Sequence, residues 1–328
     1  MQHQLTRTNT SAVDKAMARL RAENGIATLG RVLTLVVMAE EGHSQRAVEA
    51  AIAASHEHPC RIIVHVAHEY EEENRLDAEL FYGGEAGASE LVILHGWGQS
   101  AQPTESLLSG LLLPDAPIVA WWPHALPDSA SENSIGRIAT RRITDSARAP
   151  EPWRALESLA ASYAPGDTDL AWTRLTHWRS QLAAVLDELP ESPTQRVVVE
   201  GSEKSPSVIL LGTWLGEKLG ADVEVAADPR PRGLFRVTLC REDGEVTISR
   251  PGTTVATLSQ PDHRDQQIAL KVRTLSECLA EELRRLDPDE TFGAVLTEGL
   301  GSVNITWTQC QDAEEQINYD DVTEPFDA

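Results

Sequence analysis

Two apolar runs on either side of an alanine-rich segment constrain this fold more than any other feature. Residues 31–38 are Arg-Val-Leu-Thr-Leu-Val-Val-Met, and residues 61–66 are Arg-Ile-Ile-Val-His-Val. Near-continuous β-branched and aliphatic residues are typical of strands buried on both faces of a parallel sheet. Residues 44–55 between the runs predict a helix, so we expect a right-handed βαβ unit.

Further apolar segments extend this unit into a mixed, mainly parallel sheet with flanking helices. They predict strands at residues 76–82, 91–95 and 118–121. The first of these strands alternates apolar residues with charges, which is typical of a sheet edge. Helices are predicted from Ser11 as N-cap and at residues 104–113, 153–163 and 169–189.

The second half of the chain predicts a smaller α+β domain with an antiparallel meander. After a proline-rich linker at 189–195, strands are predicted at residues 196–200, 222–226, 234–240, 245–249 and 254–258. Helices are predicted at 206–219 and 266–286, and we expect the second to cover one face of that sheet. The predicted organisation is an α/β domain at 1–190, an α+β domain at 191–300 and an acidic, mobile tail at 301–328.

The charge of the chain argues against several classes of partner. The net charge is −23, and residues 301–328 hold seven acidic residues and no Lys or Arg. Such acidity repels phosphate backbones and anionic lipids, so we expect neither nucleic-acid nor membrane partners. No apolar run is long enough for a membrane span, and the first residues lack the apolar segment of an export signal. We therefore expect a cytoplasmic protein.

The sequence contains no recognised catalytic or metal-binding motif. Neither of the glycine-rich phosphate loops, G-x-G-x-x-G and G-x-x-x-x-G-K-[ST], occurs, and neither does a G-x-S-x-G nucleophile elbow. The cysteines, Cys60, Cys240, Cys278 and Cys310, lie far apart without a C-x-x-C pair, which argues against a zinc site and a disulfide framework. We predict no metal, no cofactor and no catalytic residue.

A possible ligand cleft is predicted where the first crossover helix leads into the second buried strand. His56, His58 and Arg61 lie there, and Asp167 and Asp169 could supply oxygens from elsewhere in the chain. Because α/β proteins bind ligands at sheet ends, these side chains could converge on a small molecule. The structural alternative is that the histidines only close the preceding helix, with Pro59 enforcing its end.

The candidates for binding a partner protein are tryptophans and arginines, which are enriched in interface hot spots. They are Trp121, Trp122, Arg137, Arg141, Arg142, Arg174 and Arg179. Adjacent strand residues face opposite sides, so one of the two adjacent tryptophans can fill the core while the other is displayed. The alternatives are that both are buried and that the arginines pair internally with carboxylates such as Asp145.

The segment from residue 163 to 179 combines several of these features. Pro165 and Gly166 break one helix, and the residues from Asp167 to Asp169 offer oxygens that could cap the next. Trp172 and Trp178 share one face of that next helix, so we expect its arginines to point outward. A core helix with the same tryptophans is the alternative.

Five ordered segments resemble the OpcA family of glucose-6-phosphate dehydrogenase assembly proteins, in its actinobacterial form. The resemblance covers about residues 30–300 and rests on the segments 30–35 (Gly-Arg-Val-Leu-Thr-Leu), 54–61 (Ala-Ser-His-Glu-His-Pro-Cys-Arg), 112–123 (Leu-Leu-Pro-Asp-Ala-Pro-Ile-Val-Ala-Trp-Trp-Pro), 141–145 (Arg-Arg-Ile-Thr-Asp) and 163–174 (Tyr-Ala-Pro-Gly-Asp-Thr-Asp-Leu-Ala-Trp-Thr-Arg). Several long segments in the same order are more specific than any short motif among them.

The resemblance implies a non-catalytic partner of glucose-6-phosphate dehydrogenase. Such a protein binds the dehydrogenase, a homo-oligomer, and activates it allosterically or assists its assembly, thereby controlling the oxidative pentose phosphate pathway and NADPH supply. The alternative from another class is a sugar-phosphate enzyme that uses His56, His58 and Arg61 for acid–base and phosphate chemistry.

Overall fold

A computed structural model describes residues 2–23, 32–68, 73–82, 90–228 and 233–309. The chain divides into two compact units that interleave along the sequence. Unit 1 comprises Met1–Glu151, Ala161–Leu170 and Thr274–Asp289, and unit 2 comprises Pro152–Ala160, Ala171–Arg273 and Glu290–Ala328. These units do not follow the predicted boundary at residue 190.

The strands of the described residues form one sheet in each unit. In chain order they are β1 (Gln2–Leu5), β2 (Leu33–Glu40), β3 (Cys60–His68), β4 (Arg75–Phe81), β5 (Glu90–Trp97), β6 (Ile118–Trp122), β7 (Arg141–Thr144), β8 (Asp167–Asp169), β9 (Thr194–Ser202), β10 (Asp222–Asp228), β11 (Leu234–Arg241), β12 (Gly244–Ser249), β13 (Val255–Ser259), β14 (Gln266–Ala269) and β15 (Ile305–Gln309).

The helices range from single turns to about four turns. In chain order they are α1 (Thr10–Glu23), α2 (Ser44–Ser55), α3 (Glu105–Leu108), α4 (Pro152–Ser162), α5 (Leu170–Thr173), α6 (Thr176–Glu188), α7 (Pro206–Leu219), α8 (Leu275–Arg284), α9 (Glu290–Ala294) and α10 (Leu300–Ser302). Among the described residues, no helix is long and apolar enough to cross a membrane.

Unit 1 is built on an eight-stranded sheet in the order β1-β4-β5-β3-β2-β6-β7-β8. The six strands from β5 to β8 in this order pair in parallel, and β4 and β1 are antiparallel additions. The predicted mixed, mainly parallel sheet is therefore confirmed. The prediction that residues 76–82 form an edge is wrong, because the short polar strand β1 pairs with the outer side of β4.

The order of the strands contains a topological switch point between β2 and β6. From β2 the chain passes through α2 to β3 on one side, and after β5 it returns to β6 on the other side of β2. In open α/β sheets, ligands bind outside the carboxyl ends of the strands at such a point. The loops after β2 and β6 are therefore where a ligand site is expected.

The core of unit 1 lies on both faces of its sheet. Leu35 and Val37 belong to one apolar cluster with the alanines of α2, and Val36 and Met38 belong to a second cluster with Val13 of α1. This division explains the near-continuous apolar sequence of β2, since both faces of the strand are covered.

The helix predicted at residues 266–286 is divided and packs elsewhere. Residues 266–269 form β14, and α8 begins only at Leu275, after a capping box between Thr274 and Glu277. Cys278, Leu279 and Leu283 of α8 lie in the core cluster of unit 1 that contains α2. The expectation that this helix covers the second sheet is therefore wrong, because its apolar stripe is buried against the first.

Unit 2 is built on a seven-stranded sheet in the order β14-β13-β12-β11-β9-β10-β15. Strands β11 to β13 form the predicted antiparallel meander, β14 adds a fourth strand to it, and β9, β10 and β15 are parallel. Helix α7 packs so closely on β9 and β10 that a Cβ atom at Gly212 would lie 2.9 Å from Val223 Cγ1. The α+β architecture predicted for this part of the chain is confirmed.

Strand β15 begins inside the segment predicted as a mobile tail. Val225 of β10 is in register with Trp307 of β15, so residues 305–309 continue the sheet. The sequence Ile-Thr-Trp-Thr-Gln is rich in residues with high β propensity, and the seven acidic residues all follow it. The rest of the predicted tail, residues 310–328 with Cys310, lies outside the described residues.

Candidate functional site

The segment from Tyr163 to Trp172 is fastened to the sheet by an ion pair. The Arg142 guanidinium on β7 donates through Nε to Asp167 Oδ1 on β8, and through Nη1 and Nη2 to the carbonyls of Ala139 (3.0 Å) and Pro165 (2.5 Å). Gly166 has a φ of +98°, and a Cβ there would lie 2.8 Å from the Thr140 carbonyl. Asp167 therefore anchors a turn that requires glycine.

Asp169 is also a structural residue of this segment. Its carboxylate accepts from the Thr144 hydroxyl at 2.7 Å, the Ser146 backbone N–H at 2.8 Å and the Ser146 hydroxyl at 2.8 Å. The residue is fully buried. The expectation that the two aspartates reach a ligand cleft is corrected, because their oxygens accept hydrogen bonds from protein donors. Asp169 ends β8 and directly precedes α5, which is the position expected of a helix cap.

The arginines of β7 are internal residues. Arg141, 4% exposed, pairs with Glu282 of α8 and donates through Nη1 to the Asp287 carbonyl at 2.6 Å. Burial of a guanidinium requires such a partner. The expectation that Arg141 and Arg142 face a partner protein is therefore corrected. Arg137 is exposed and has a loose ion pair with Glu132 at 3.5 Å.

Both tryptophans at the end of β6 are buried. Trp121 lies in the cluster with α2, and Trp122 lies in the cluster with α1, so they face opposite sides of the sheet as predicted. Neither is displayed, since they are 0% and 4% exposed. The expectation that one of them contacts a partner is corrected to core packing on both faces.

The tryptophan face of helices α5 and α6 is core in unit 2. Trp172 and Trp178 are buried, and the Arg179 guanidinium lies 3.8 Å from the centroid of the Trp172 ring. Arg174 and Arg179 are both half-buried. Of the predicted partner-binding residues, these two and Arg137 are those whose side chains reach the surface.

The predicted cleft residues do not converge. Arg61 pairs with Glu90 at 2.9 Å, and His56 and His58 close the last turn of α2 through their backbone N–H groups. All three precede or begin β3, which places them at the amino end of the sheet, opposite the end where ligands bind. Strand β8 lies four strands from β3, about 19 Å away at ~4.8 Å per strand.

The switch point carries carboxylates and imidazoles. Strand β2 ends at Glu40, and the loop after it is Glu41-Gly42-His43. His43 stacks on His124 from the loop after β6, with ring centroids 3.9 Å apart. His124 Nδ1 lies 3.2 Å from Glu40 Oε2. Dinucleotide-binding sheets have a glycine-rich loop here, whose N–H groups hold phosphates. Two carboxylates at this strand end disfavour a phosphate.

A second imidazole cluster lies on the neighbouring strands at the same end of the sheet. His68 ends β3, His95 lies on β5, and their Nε2 and Nδ1 atoms are 3.0 Å apart. His65 Nε2 lies 2.8 Å from the Ser100 carbonyl, and burial lowers the pKa of His65. We name this end of the sheet, with His43, His65, His68, His95 and His124, the histidine edge.

No sequence pattern signals the histidine edge. Its five histidines come from four separate segments of the chain and are brought together by the parallel register, which aligns His65 with Leu94 and Met38. Among the residues that the structure describes, no three His, Cys, Asp or Glu side chains are grouped so as to hold a metal ion.

Unit 2 has an exposed groove beside β15. Trp307 is 47% exposed, its ring meets that of Trp153 edge-on at 5.4 Å, and Trp153 Nε1 donates to the Glu203 carbonyl at 2.8 Å. The groove has a volume of about 740 Å³ and is lined by Trp153, Glu203, Lys204, Ala227, Trp307, Thr308 and Gln309. We name it the tryptophan groove.

Two protein-family models match consecutive parts of the chain. A model of the N-terminal domain of a glucose-6-phosphate dehydrogenase subunit matches residues 51–161, and a model of the C-terminal domain of the same protein matches residues 165–296. The chain belongs to the OpcA family of glucose-6-phosphate dehydrogenase assembly proteins. The family resemblance is thus confirmed. The two OpcA matches meet at the segment that begins with Tyr163. No curated protein matches the chain.

Solved structures of oxidoreductases match the chain at low identity. The 3-ketoreductase KijD10 from Actinomadura kijaniata, in complex with NADP, is 10% identical, with 85% of this chain and 99% of that chain covered and a TM-score of 0.45. A Gfo/Idh/MocA family oxidoreductase from Vibrio cholerae is 11% identical, with 80% and 94% covered and a TM-score of 0.38. Likeness at this level extends no activity to the OpcA-family chain.

Proposed function

We propose that this protein binds glucose-6-phosphate dehydrogenase and raises its activity without a reaction of its own. The observation that carries the proposal is the match of both OpcA-family models, which together span residues 51–161 and 165–296. Activation requires that the protein bind one conformation or oligomer of the dehydrogenase more tightly than the other. The consequence in the cell is control of the oxidative pentose phosphate pathway and of NADPH supply.

The site geometry supports a non-catalytic role. At the switch point, Glu40 and Glu41 stand where a dinucleotide-binding sheet has its phosphate loop. The alternative function, a sugar-phosphate enzyme, depended on His56, His58 and Arg61, yet Arg61 is neutralised by Glu90 and buried. A guanidinium held in this way has no free charge for a substrate phosphate.

We place the contact with the dehydrogenase at the tryptophan groove. Tryptophan is enriched among residues that dominate binding energy, and Trp307 is one of three large apolar side chains that are exposed among the described residues, with Val32 and Val255. The groove also borders β15, the last strand in the described order of its sheet, and such edge strands can pair with an added strand. Arg137, Arg174 and Arg179 remain further candidates.

Order of addition separates the two forms of this proposal. The dehydrogenase would be purified, allowed to form its oligomer, and mixed with this protein before size-exclusion chromatography and activity measurement. An allosteric activator co-elutes with the preassembled enzyme and raises its rate. An assembly factor acts only when present during refolding of the dehydrogenase from denaturant. If the two proteins do not co-elute and neither order of addition changes the activity, the proposal is contradicted.

A further inference from the structure

Four side chains of the histidine edge form one continuous chain of contacts. His68 Nδ1 lies 3.1 Å from Glu41 Oε2, His68 Nε2 lies 3.0 Å from His95 Nδ1, and His95 Nε2 lies 3.5 Å from Glu79 Oε1. The order is therefore carboxylate, imidazole, imidazole, carboxylate. His68 also stacks on Trp97, with ring centroids 4.4 Å apart. We name the four side chains the imidazole relay.

The number of protons on the two rings decides how many of these contacts are hydrogen bonds. Each contact needs one N–H, because carboxylates at neutral pH only accept. Two neutral rings have two N–H groups, which leave one of the three contacts unmade. A pair with one extra proton has three N–H groups and satisfies all three contacts. A pair with two extra protons has N–H groups facing each other across 3.0 Å, which repel.

We infer that the imidazole relay is a pH-sensitive switch, closed when the His68–His95 pair shares one extra proton and opened when the pair takes a second. The closed relay ties the loop after β2, through Glu41, to β3, β4 and β5. Opening releases that tie beside His43 and His124 at the switch point. The inference is independent of the proposed function, since it concerns this chain alone.

The charges around the relay favour one shared proton over two. Glu41 and Glu79 face its two ends, and Asp77 lies nearby on β4 with a pKa lowered by its hydrogen bond from Arg75. These carboxylates favour the shared proton. Burial is the largest cause that lowers the pKa of His95, and it opposes any added proton on that ring. The charge of His68 acts in the same direction and opposes a second proton on the pair.

The neighbouring cations and the third ring complete the surroundings. The Arg75 guanidinium lies 4.5 Å from the centroid of the Trp97 ring and pairs with Asp77. His65 is buried on β3 and is coupled to both relay histidines. Because two imidazoles in contact repel each other when both are charged, we expect the pair to bind its protons in two macroscopic steps.

The test is a pH titration of the full chain with histidines labelled by ¹⁵N, from about pH 8.5 to about pH 4.5, which brackets the ordinary histidine pKa. Imidazole NMR signals of His68 and His95 should move together in two steps. In His95→Gln, His68 should titrate in one step. The pH-dependent fluorescence of Trp97 is identified as the change that is lost in Trp97→Phe. In the native chain it should follow the lower step.

The matched control is His263→Gln, which removes an exposed imidazole whose Nδ1 lies near the Pro261 carbonyl of its own loop, at 2.8 Å. A single independent step for each ring, or a His68 titration that His95→Gln alters no more than His263→Gln, would overturn the inference. If circular dichroism shows that His95→Gln is unfolded, the pH titration is repeated with Glu79→Gln, which removes the carboxylate at one end of the relay. The higher step must then move to lower pH, and an unmoved step overturns the inference.

Discussion

At the residue scale, the two arginines of β7 form ion pairs with β8 and α8 that are removed from water. Arg142 neutralises Asp167, and Arg141 neutralises Glu282, and all four side chains are less than one-tenth exposed. Such a pair contributes little net stability compared with apolar residues, but loss of one partner leaves a buried charge without compensation. Removal of one member of such a pair is therefore expected to reduce stability more than replacement of both members by apolar residues.

Arg142→Ala is expected to lower the free energy of unfolding by about 3–5 kcal/mol, because Asp167 then keeps a buried charge. Urea denaturation monitored by circular dichroism measures the change. The matched control is Arg137→Ala, whose exposed ion pair with Glu132 should contribute no more than about 1 kcal/mol. Equal effects of the two substitutions would show that Arg142 does not anchor the segment.

Trp307→Ala is expected to weaken the complex with glucose-6-phosphate dehydrogenase by about 2 kcal/mol or more, as for a hot-spot tryptophan. This change corresponds to about thirtyfold in Kd, measured by titration calorimetry. Val255→Ala is the control, since Val255 is 45% exposed on another strand of the same sheet. An unchanged Kd for Trp307→Ala moves the interface away from the tryptophan groove.

At the element scale, helix and strand ends follow contacts that are only partly visible in the sequence. Helix α2 and helix α7 begin and end where the apolar and glycine patterns predict. Helix α1 differs, because Asn9 Oδ1 accepts from the Ala12 backbone N–H at 3.0 Å, and Ser11, the predicted N-cap, lies inside the helix. The capping side chain is therefore Asn9.

Asn9→Ala is expected to reduce stability by about 1 kcal/mol, since an N-cap side chain satisfies a free backbone donor of the first turn. Ser11→Ala, at an exposed position two residues later, should change stability by less than about 0.5 kcal/mol. Thermal and urea unfolding of both variants measure the difference. A larger loss for Ser11→Ala would restore the sequence-based cap.

The elements that the sequence did not predict share a physical cause. Strands β1, β7, β8, β14 and β15 have three to five residues, and their pairing partners lie far away in the chain or carry no distinctive pattern. Long apolar runs such as β2 and β3 are predicted well, because burial on both faces leaves a continuous signal. Short polar strands depend on tertiary pairing, which local sequence does not encode.

The candidate site shows the same limit more strongly. Asp167, Arg141 and Arg142 stand out in the sequence as a cluster of charges, and in the structure they belong to buried ion pairs. Their spacing does not reveal whether the charges meet each other or a ligand. The histidine edge gives the opposite case, since His68 and His95 are unremarkable in sequence and are joined only by the register of β3 and β5.

At the scale of the whole molecule, each unit encloses its own sheet and displays a different surface chemistry. Unit 1 presents the histidine edge, and unit 2 presents the tryptophan groove. The whole chain has a net charge of −23, so added salt should weaken association with a basic surface and strengthen association with an acidic one. The salt dependence of the Kd therefore reports the charge of the dehydrogenase surface that is bound.

We propose that this protein changes the kinetics of glucose-6-phosphate dehydrogenase while catalysing nothing itself. The most direct test titrates the purified protein into a fixed amount of the dehydrogenase and measures kcat/KM for glucose 6-phosphate through NADPH absorbance. We expect a saturable rise in kcat/KM, a weaker response with Trp307→Ala, and no NADPH formation without the dehydrogenase. Unchanged kinetics at saturating protein, or turnover by this protein alone, would contradict it.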